Sequence, residues 1–110
     1  MRIPKRLRFL GHIIRVVYPH IFVERTDCHA LACVDTDQIL LASHTNDEPL
    51  PEDKVAEHFL HEIGHHISQA VTGEACLGGD EIKHTLICRA FFAILRENDL
   101  DFRREKGEGK

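Results

Sequence analysis

Residues His61 to His65 read His-Glu-Ile-Gly-His. On a helix, side chains four apart lie one turn above each other on the same face. The imidazoles of His61 and His65 can therefore converge on one ion. Glu62 is turned about 100° from His61. It would sit beside that ion without binding it, where it can take a proton from a metal-bound water. Two imidazoles with an adjacent carboxylate form the donor pattern of zinc hydrolases. Nine His and ten Glu in 110 residues would produce the pattern by accident about once in fifteen such chains. Context has to carry the rest.

Three features supply that context. The motif falls on the strongest helical pattern in the chain, away from its apolar stripe. Gly64 stands inside that helix, where glycine costs about 1 kcal/mol relative to alanine, so a close-packed crossing element is expected there. A second helix follows and brings Glu81, 16 residues beyond His65, as a candidate third ligand. Two helices joined by a short loop pack antiparallel, which can return Glu81 to the metal. His84 competes for that role, three residues later on roughly the same face. Glu81 would also suit a helix N-terminus simply as a dipole partner. His58, one turn before the motif, reads as a supporting group or an exposed one. His66 points about 100° away from His65 and is not expected to be a ligand.

The elements that must position these groups follow from periodicity and turn chemistry. Arg6 to Tyr18 (RLRFLGHIIRVVY) is rich in apolar and β-branched residues around Gly11-His12 and predicts two strands with a tight turn, or one bulged strand. His29–Val34 and Gln38–Ser43 form a second pair around Asp35-Thr36-Asp37. Ser43 to Glu52 is loop-like. A helix opens at Pro51, with Glu52 and Asp53 at its positive end, and stops at Gly73. Its apolar stripe is Val55, Phe59, Ile63, Ile67 and Ala70 or Val71. After Gly78-Gly79 a second helix runs from Asp80, an N-cap residue, to about Asn98, carrying Ile82, Leu86, Ala90, Phe91 and Leu95. The expected fold is α+β: a small antiparallel sheet of three to four strands, the His-Glu helix and a second packed helix. Residues 1–98 would form this single domain and 99–110 a polar, fraying tail.

The composition, 43% hydrophobic and 29% charged, is that of a folded globular chain and not a disordered one. No apolar run reaches the ~18–20 residues that span a bilayer. Six Phe, one Tyr and no Trp argue against a base-stacking nucleic-acid surface. A helix-turn-helix reading fails for a related reason: Leu86 to Leu95 is almost wholly apolar where a recognition helix needs base readers. The formal charge of −4 is uneven. The first twenty residues hold Arg2, Lys5, Arg6, Arg8 and Arg15 with no acid, leaving 9 bases against 18 acids in the remainder. That entry segment could meet an acidic partner or be a strand with a basic outer face. It is not a secretory signal, since Arg8, His12 and Arg15 interrupt any apolar core. A cytoplasmic location is therefore expected. Cys28, Cys33, Cys76 and Cys88 include no Cys-x-x-Cys pair and read as buried free thiols. A structural zinc site from Cys28, His29 and Cys33 has only weak spacing support.

The run LHEIGHHISQA followed by DEIKHTLICRAFFAILREND resembles small HExxH metallopeptidase-like proteins of bacteria and phages, and is similar in layout to the ImmA/IrrE-type family. The resemblance is strongest from about Val55 to Asn98; the strands match in layout only. It implies one zinc ion held by His61, His65 and Glu81, with Glu62 as general base and a peptide or protein as substrate. It also implies the host cytoplasm as the location if the chain is phage-encoded. His84 stands where a small residue is commoner in that family. The expected activity is peptide-bond hydrolysis of the gluzincin kind. The strand QILLAS would be either an edge that pairs with an extended peptide or an ordinary sheet strand. Two rival functions are a non-catalytic zinc module, with a group such as His84 in the fourth position, and a phage or mobile-element regulatory protein that binds a partner.

Overall fold

The computed structural model describes residues 3–22, 29–45 and 48–98. The expected tail at 99–110 and Cys28 lie outside the described residues. The first ten described residues begin a hairpin, β1 (Arg6–Phe9) and β2 (His12–Val17), paired antiparallel with Phe9 opposite His12. Leu10 and Gly11 both adopt positive φ, 48° and 83°. That is the turn twist that suits a two-residue hairpin, and glycine adopts it without steric cost. Side chains then alternate: Ile14 and Val16 are buried, while Arg6, Arg8 and Arg15 stand on the outer face. The basic entry segment is thus, over its described residues, a strand pair with a basic outer face.

β3 (Ala30–Cys33) and β4 (Gln38–Leu41) form a second antiparallel pair, linked by a 3-10 turn at Val34–Thr36 and by Asp37 in the left-handed region. The two pairs join through a parallel contact, Val16 opposite Ile39, giving the order β1-β2-β4-β3. The four-stranded sheet is therefore mixed, and one of its three pairings departs from the antiparallel expectation. The chain leaves β2 and reaches β4 only after building β3 outside it, and that connection reverses the strand direction. It also overturns the edge role considered for QILLAS. β4 is interior, flanked by β2 and β3, and the edge beside the long helix is β3. The stretch expected as loop contains a minimal two-stranded ladder, β5 (His44–Thr45) with β6 (Glu48–Pro49).

α1 (Glu52–Thr72) begins after Pro51 with Glu52 and Asp53 in its first turn and closes at Gly73, φ 77°, whose N–H donates to the Gln69 carbonyl. α2 (Glu81–Glu97) is capped by Asp80, whose side chain accepts from the Lys83 N–H at 2.8 Å. Both spans match the sequence expectation, and the α+β architecture with a small four-stranded sheet and two helices holds. The core lies between the sheet and α1: Ile14, Val16, Ile39, Leu41, Val55 and Phe59, with Ile63 packed against it. Beyond Ile63 the expected stripe on α1 leaves the core. Ile67 and Val71 are exposed, and the buried face continues through His66 and Ser68. A four-stranded sheet is shorter than a 21-residue helix, so the last turns of α1 run past it.

α2 packs antiparallel against α1, since Arg96 reaches Asp53 (2.8 Å), Arg89 reaches Glu57 (3.2 Å) and Glu81 reaches His61 (2.9 Å). Its contact face is narrow. Only His84 and Cys88 are buried, and Ile82, Leu86 and Phe91 of its apolar set point outward. Among the described residues no helix is long and apolar enough to cross a membrane.

Candidate metal centre

Gly64 explains how the two helices approach so closely. A Cβ at Gly64 would stand 2.9 Å from both Cys88 Sγ and His84 Cε1. The glycine in the middle of α1 is therefore the seat for α2, as its cost to the helix suggested. This close approach brings the first turn of α2 alongside His61 and His65.

There two imidazole nitrogens and both oxygens of one carboxylate converge. His61 Nε2 lies 2.9 Å from Glu81 Oε1, His65 Nε2 lies 3.2 Å from His61 Nε2, and His65 Nε2 lies 3.6 Å from Glu81 Oε2. Donors about 2.0–2.1 Å from a tetrahedral ion sit roughly 3.3 Å from each other, and the three separations bracket that value. His61, His65 and Glu81 together could hold a metal ion. The two imidazoles are half-buried and the carboxylate stands at the exposed rim. His65 Nδ1–H donates to the Ala75 carbonyl at 2.6 Å. That bond fixes the tautomer and leaves Nε2 as the lone-pair nitrogen facing the cluster. Burial lowers the pKa of His61, against the opposing pull of its hydrogen bond to Glu81. Neutral imidazole is the form that can ligate a cation. Partial burial raises Glu81, but the Cys76 thiol and the two imidazoles outweigh it and hold the carboxyl below its ordinary range.

The structure places His84 behind the two imidazoles. It is completely buried. Its Nδ1 accepts from the Leu77 N–H (2.9 Å), and its Nε2–H donates to the His61 carbonyl (2.9 Å). Both ring nitrogens are thus committed, and two further groupings that include it, with His61 and Cys88 or with His65 and Cys76, would each require breaking one of these bonds. The ring lies stacked on His65, centroids 3.8 Å apart and planes 7° from parallel, and edge-on to His61 at 4.5 Å. His84 is a buttress that orients both imidazoles. The sequence carried a signal for it in Gly64, the small residue that admits this ring.

Glu62, the residue after His61 on α1, lines the same cleft as His61 and its carboxyl reaches β3. It is 8% exposed and accepts a hydrogen bond from the Ala32 backbone N–H. Burial, with a smaller contribution from the nearby charge of Glu81, pushes its pKa up from 4.5 to about 7. It lines a cleft of about 270 Å³ whose floor is His58, His61 and Glu62, with His29 and Ala30 on one side and Thr85 and Arg89 on the other. His58 belongs to this cleft. It stacks on His29 at 5.0 Å, and His29 Nε2 meets Thr45 Oγ1 at 3.2 Å. Among the described residues its Nδ1 is the one buried side-chain polar atom without a partner, and burial depresses its pKa. His66, as expected, is remote from the cluster. Its Nε2–H donates to the Gln38 carbonyl (2.9 Å) and ties α1 to β4.

Cys33, Cys76 and Cys88 are free thiols, but of the three only Cys88 is buried as expected. Cys76 was not singled out by the sequence, yet its Sγ lies 3.3 Å from Glu81 Oε2, because the turn between the helices runs along the rim of the cluster. Comparison with family models, with curated proteins and with solved structures finds no match for this chain.

Proposed function

We propose that the chain is a zinc-dependent metallopeptidase of the HExxH kind, with His61, His65 and Glu81 as ligands and Glu62 as general base. The observation that carries the reading is the convergence of His61 Nε2 and His65 Nε2 on the Glu81 carboxylate, one oxygen 2.9 Å from His61 and the other 3.6 Å from His65, beside a cleft walled by the neighbouring carboxylate. Two imidazoles and one carboxylate suit zinc, and three protein ligands are the number found in catalytic sites with an open position. A bound zinc ion would polarise a substrate carbonyl and lower the pKa of a coordinated water towards neutrality.

The chain's own residues supply the remaining parts. Glu62 accepts a proton from the attacking water at a carboxylate oxygen and returns it to the leaving amine nitrogen, a role favoured by a pKa near the working pH. The Ala32 N–H orients that carboxyl group. His84 and the Ala75 carbonyl hold the two ligand rings in place. The edge strand β3 offers a wall along which an extended peptide could lie. The resemblance to the ImmA/IrrE-type layout supports the same assignment, and with it a cytoplasmic setting and a protein or peptide substrate.

The test is Glu62→Gln, with zinc content and hydrolysis of a casein or peptide-library substrate measured together. The expected variant keeps one zinc per chain and loses at least about a hundredfold in turnover. Unchanged turnover would refute the role of Glu62. A non-catalytic zinc site is the second reading, favoured by Cys76, whose thiol 3.3 Å from Glu81 Oε2 could close the fourth position. In that case Cys76→Ser would lower zinc affinity, and neither protein would hydrolyse peptides.

A further inference from the structure

Among the described residues, the outer face of α2 carries five of the twelve exposed large hydrophobic side chains. Ile82, Leu86, Ile87, Phe91 and Ile94 expose between 44% and 75% of their surface. At about 100° per residue, the middle of this face is Ala90. Leu86 and Ile94 lie one turn to either side of it, Ile87 and Ala93 flank it, and Lys83 and Glu97 lie two turns away, still close to the same line. About Ala90 the matched pairs are Leu86 with Ile94 and basic Lys83 with acidic Glu97, while Ile82 and Phe91 stand on opposite flanks.

We propose that this face is a homodimer interface, in which α2 pairs antiparallel with α2 of a second copy about a two-fold axis through Ala90. A two-fold contact is self-complementary, so each residue meets the one equally far on the other side of the axis. Lys83 then faces Glu97 of the second copy twice over, and Leu86 faces Ile94. Ala90 meets itself, and its small side chain lets the helices come close. A parallel pair would instead set Lys83 against Lys83 and Glu97 against Glu97. The antiparallel pair also opposes the two helix dipoles favourably. The five large side chains expose on the order of 500 Å² of apolar surface, at the upper end of what monomers leave open. Two copies would bury at most about 1,000 Å², the size at which specific interfaces begin. The opposite side of α2, with Thr85, Arg89 and Glu81 around the cleft and the metal cluster, stays clear in this arrangement. The inference does not depend on what that cluster does.

The experiment is sedimentation equilibrium of the full chain from roughly 1 to 100 µM, on wild type, Lys83→Glu, Glu97→Lys and the double exchange. Wild type should approach twice the 12.6 kDa chain mass. Each single reversal creates two repulsive contacts by symmetry and should weaken association roughly tenfold, and the double exchange should restore it. Leu86→Glu should abolish it. These positions are exposed, and unchanged circular dichroism would show that each variant is folded. A wild type that is monomeric throughout would overturn the proposal. So would a dimer indifferent to Leu86→Glu, or a double exchange that restores nothing. If removing residues 99–110 turns a monomer into an associating protein, that segment covers the face and the two-fold pair is wrong.

Discussion

Burial of Glu62 should make the stability of the zinc-free protein fall with pH in a way that one isosteric change removes. Its carboxyl is held protonated in the folded chain up to about 7, against 4.5 when unfolded. The native state therefore binds the extra proton between these values, and stability declines as pH rises through that window. The displacement from 4.5 to about 7, at ~1.4 kcal/mol per tenfold in proton affinity, amounts to about 3 kcal/mol. Gln at this position does not titrate, and its amide oxygen can still accept from the Ala32 N–H. Urea unfolding of the EDTA-treated proteins should therefore give a difference, Glu62→Gln minus wild type, that grows by about 3 kcal/mol from pH 4.5 to pH 8 and is level above it. The histidines titrate in both proteins and cancel. Parallel stability profiles, with a difference constant to about 0.5 kcal/mol, would refute the reasoning: Glu62 would then be solvated, and the shape of the cleft wrong.

Other consequences concern the ligands and the helix contact. Glu81→Ala should abolish stoichiometric zinc binding, whereas His84→Ala should keep one zinc per chain at about ten- to a hundredfold lower affinity; equilibrium dialysis separates the two roles. Gly64→Ala should destabilise by about 1–2 kcal/mol, because the overpacking against Cys88 and His84 exceeds the ~1 kcal/mol gained in helix propensity. Denaturant titration checks it, and a stabilised variant would contradict the observed packing. Removing zinc from the protein held in free zinc at a thousand times the Kd should cost about 4 kcal/mol and lower Tm by on the order of 15 °C in a calorimetric scan.

Much of the arrangement could be read from the chain itself because its signals are local. The Gly73 and Asp80 caps, the Leu10-Gly11 turn and the four-residue spacing of His61 and His65 each act within a few residues of the feature they dictate. Glu81 was also legible, through the short turn that folds α2 back along α1. What escaped depends on contacts far apart in sequence. The parallel join of β2 to β4 is set by how two hairpins share one core, and neither hairpin encodes it. Periodicity marks Ile67, Val71, Ile82 and Leu86 as apolar but cannot say that the sheet is too short to cover them. His84 entered as a possible ligand because its residue type suits one. Its two hydrogen bonds, to Leu77 and to the carbonyl of His61 23 residues away, exist only once the helices are packed.

The most direct measurement is anomalous scattering at the zinc edge from a zinc-loaded crystal. The account predicts one peak about 2.0–2.2 Å from His61 Nε2, His65 Nε2 and a Glu81 oxygen, with the fourth position open towards the Glu62 cleft. A peak on His84 or Cys88, a fourth protein ligand closing the site, or no ordered zinc at these residues would contradict it.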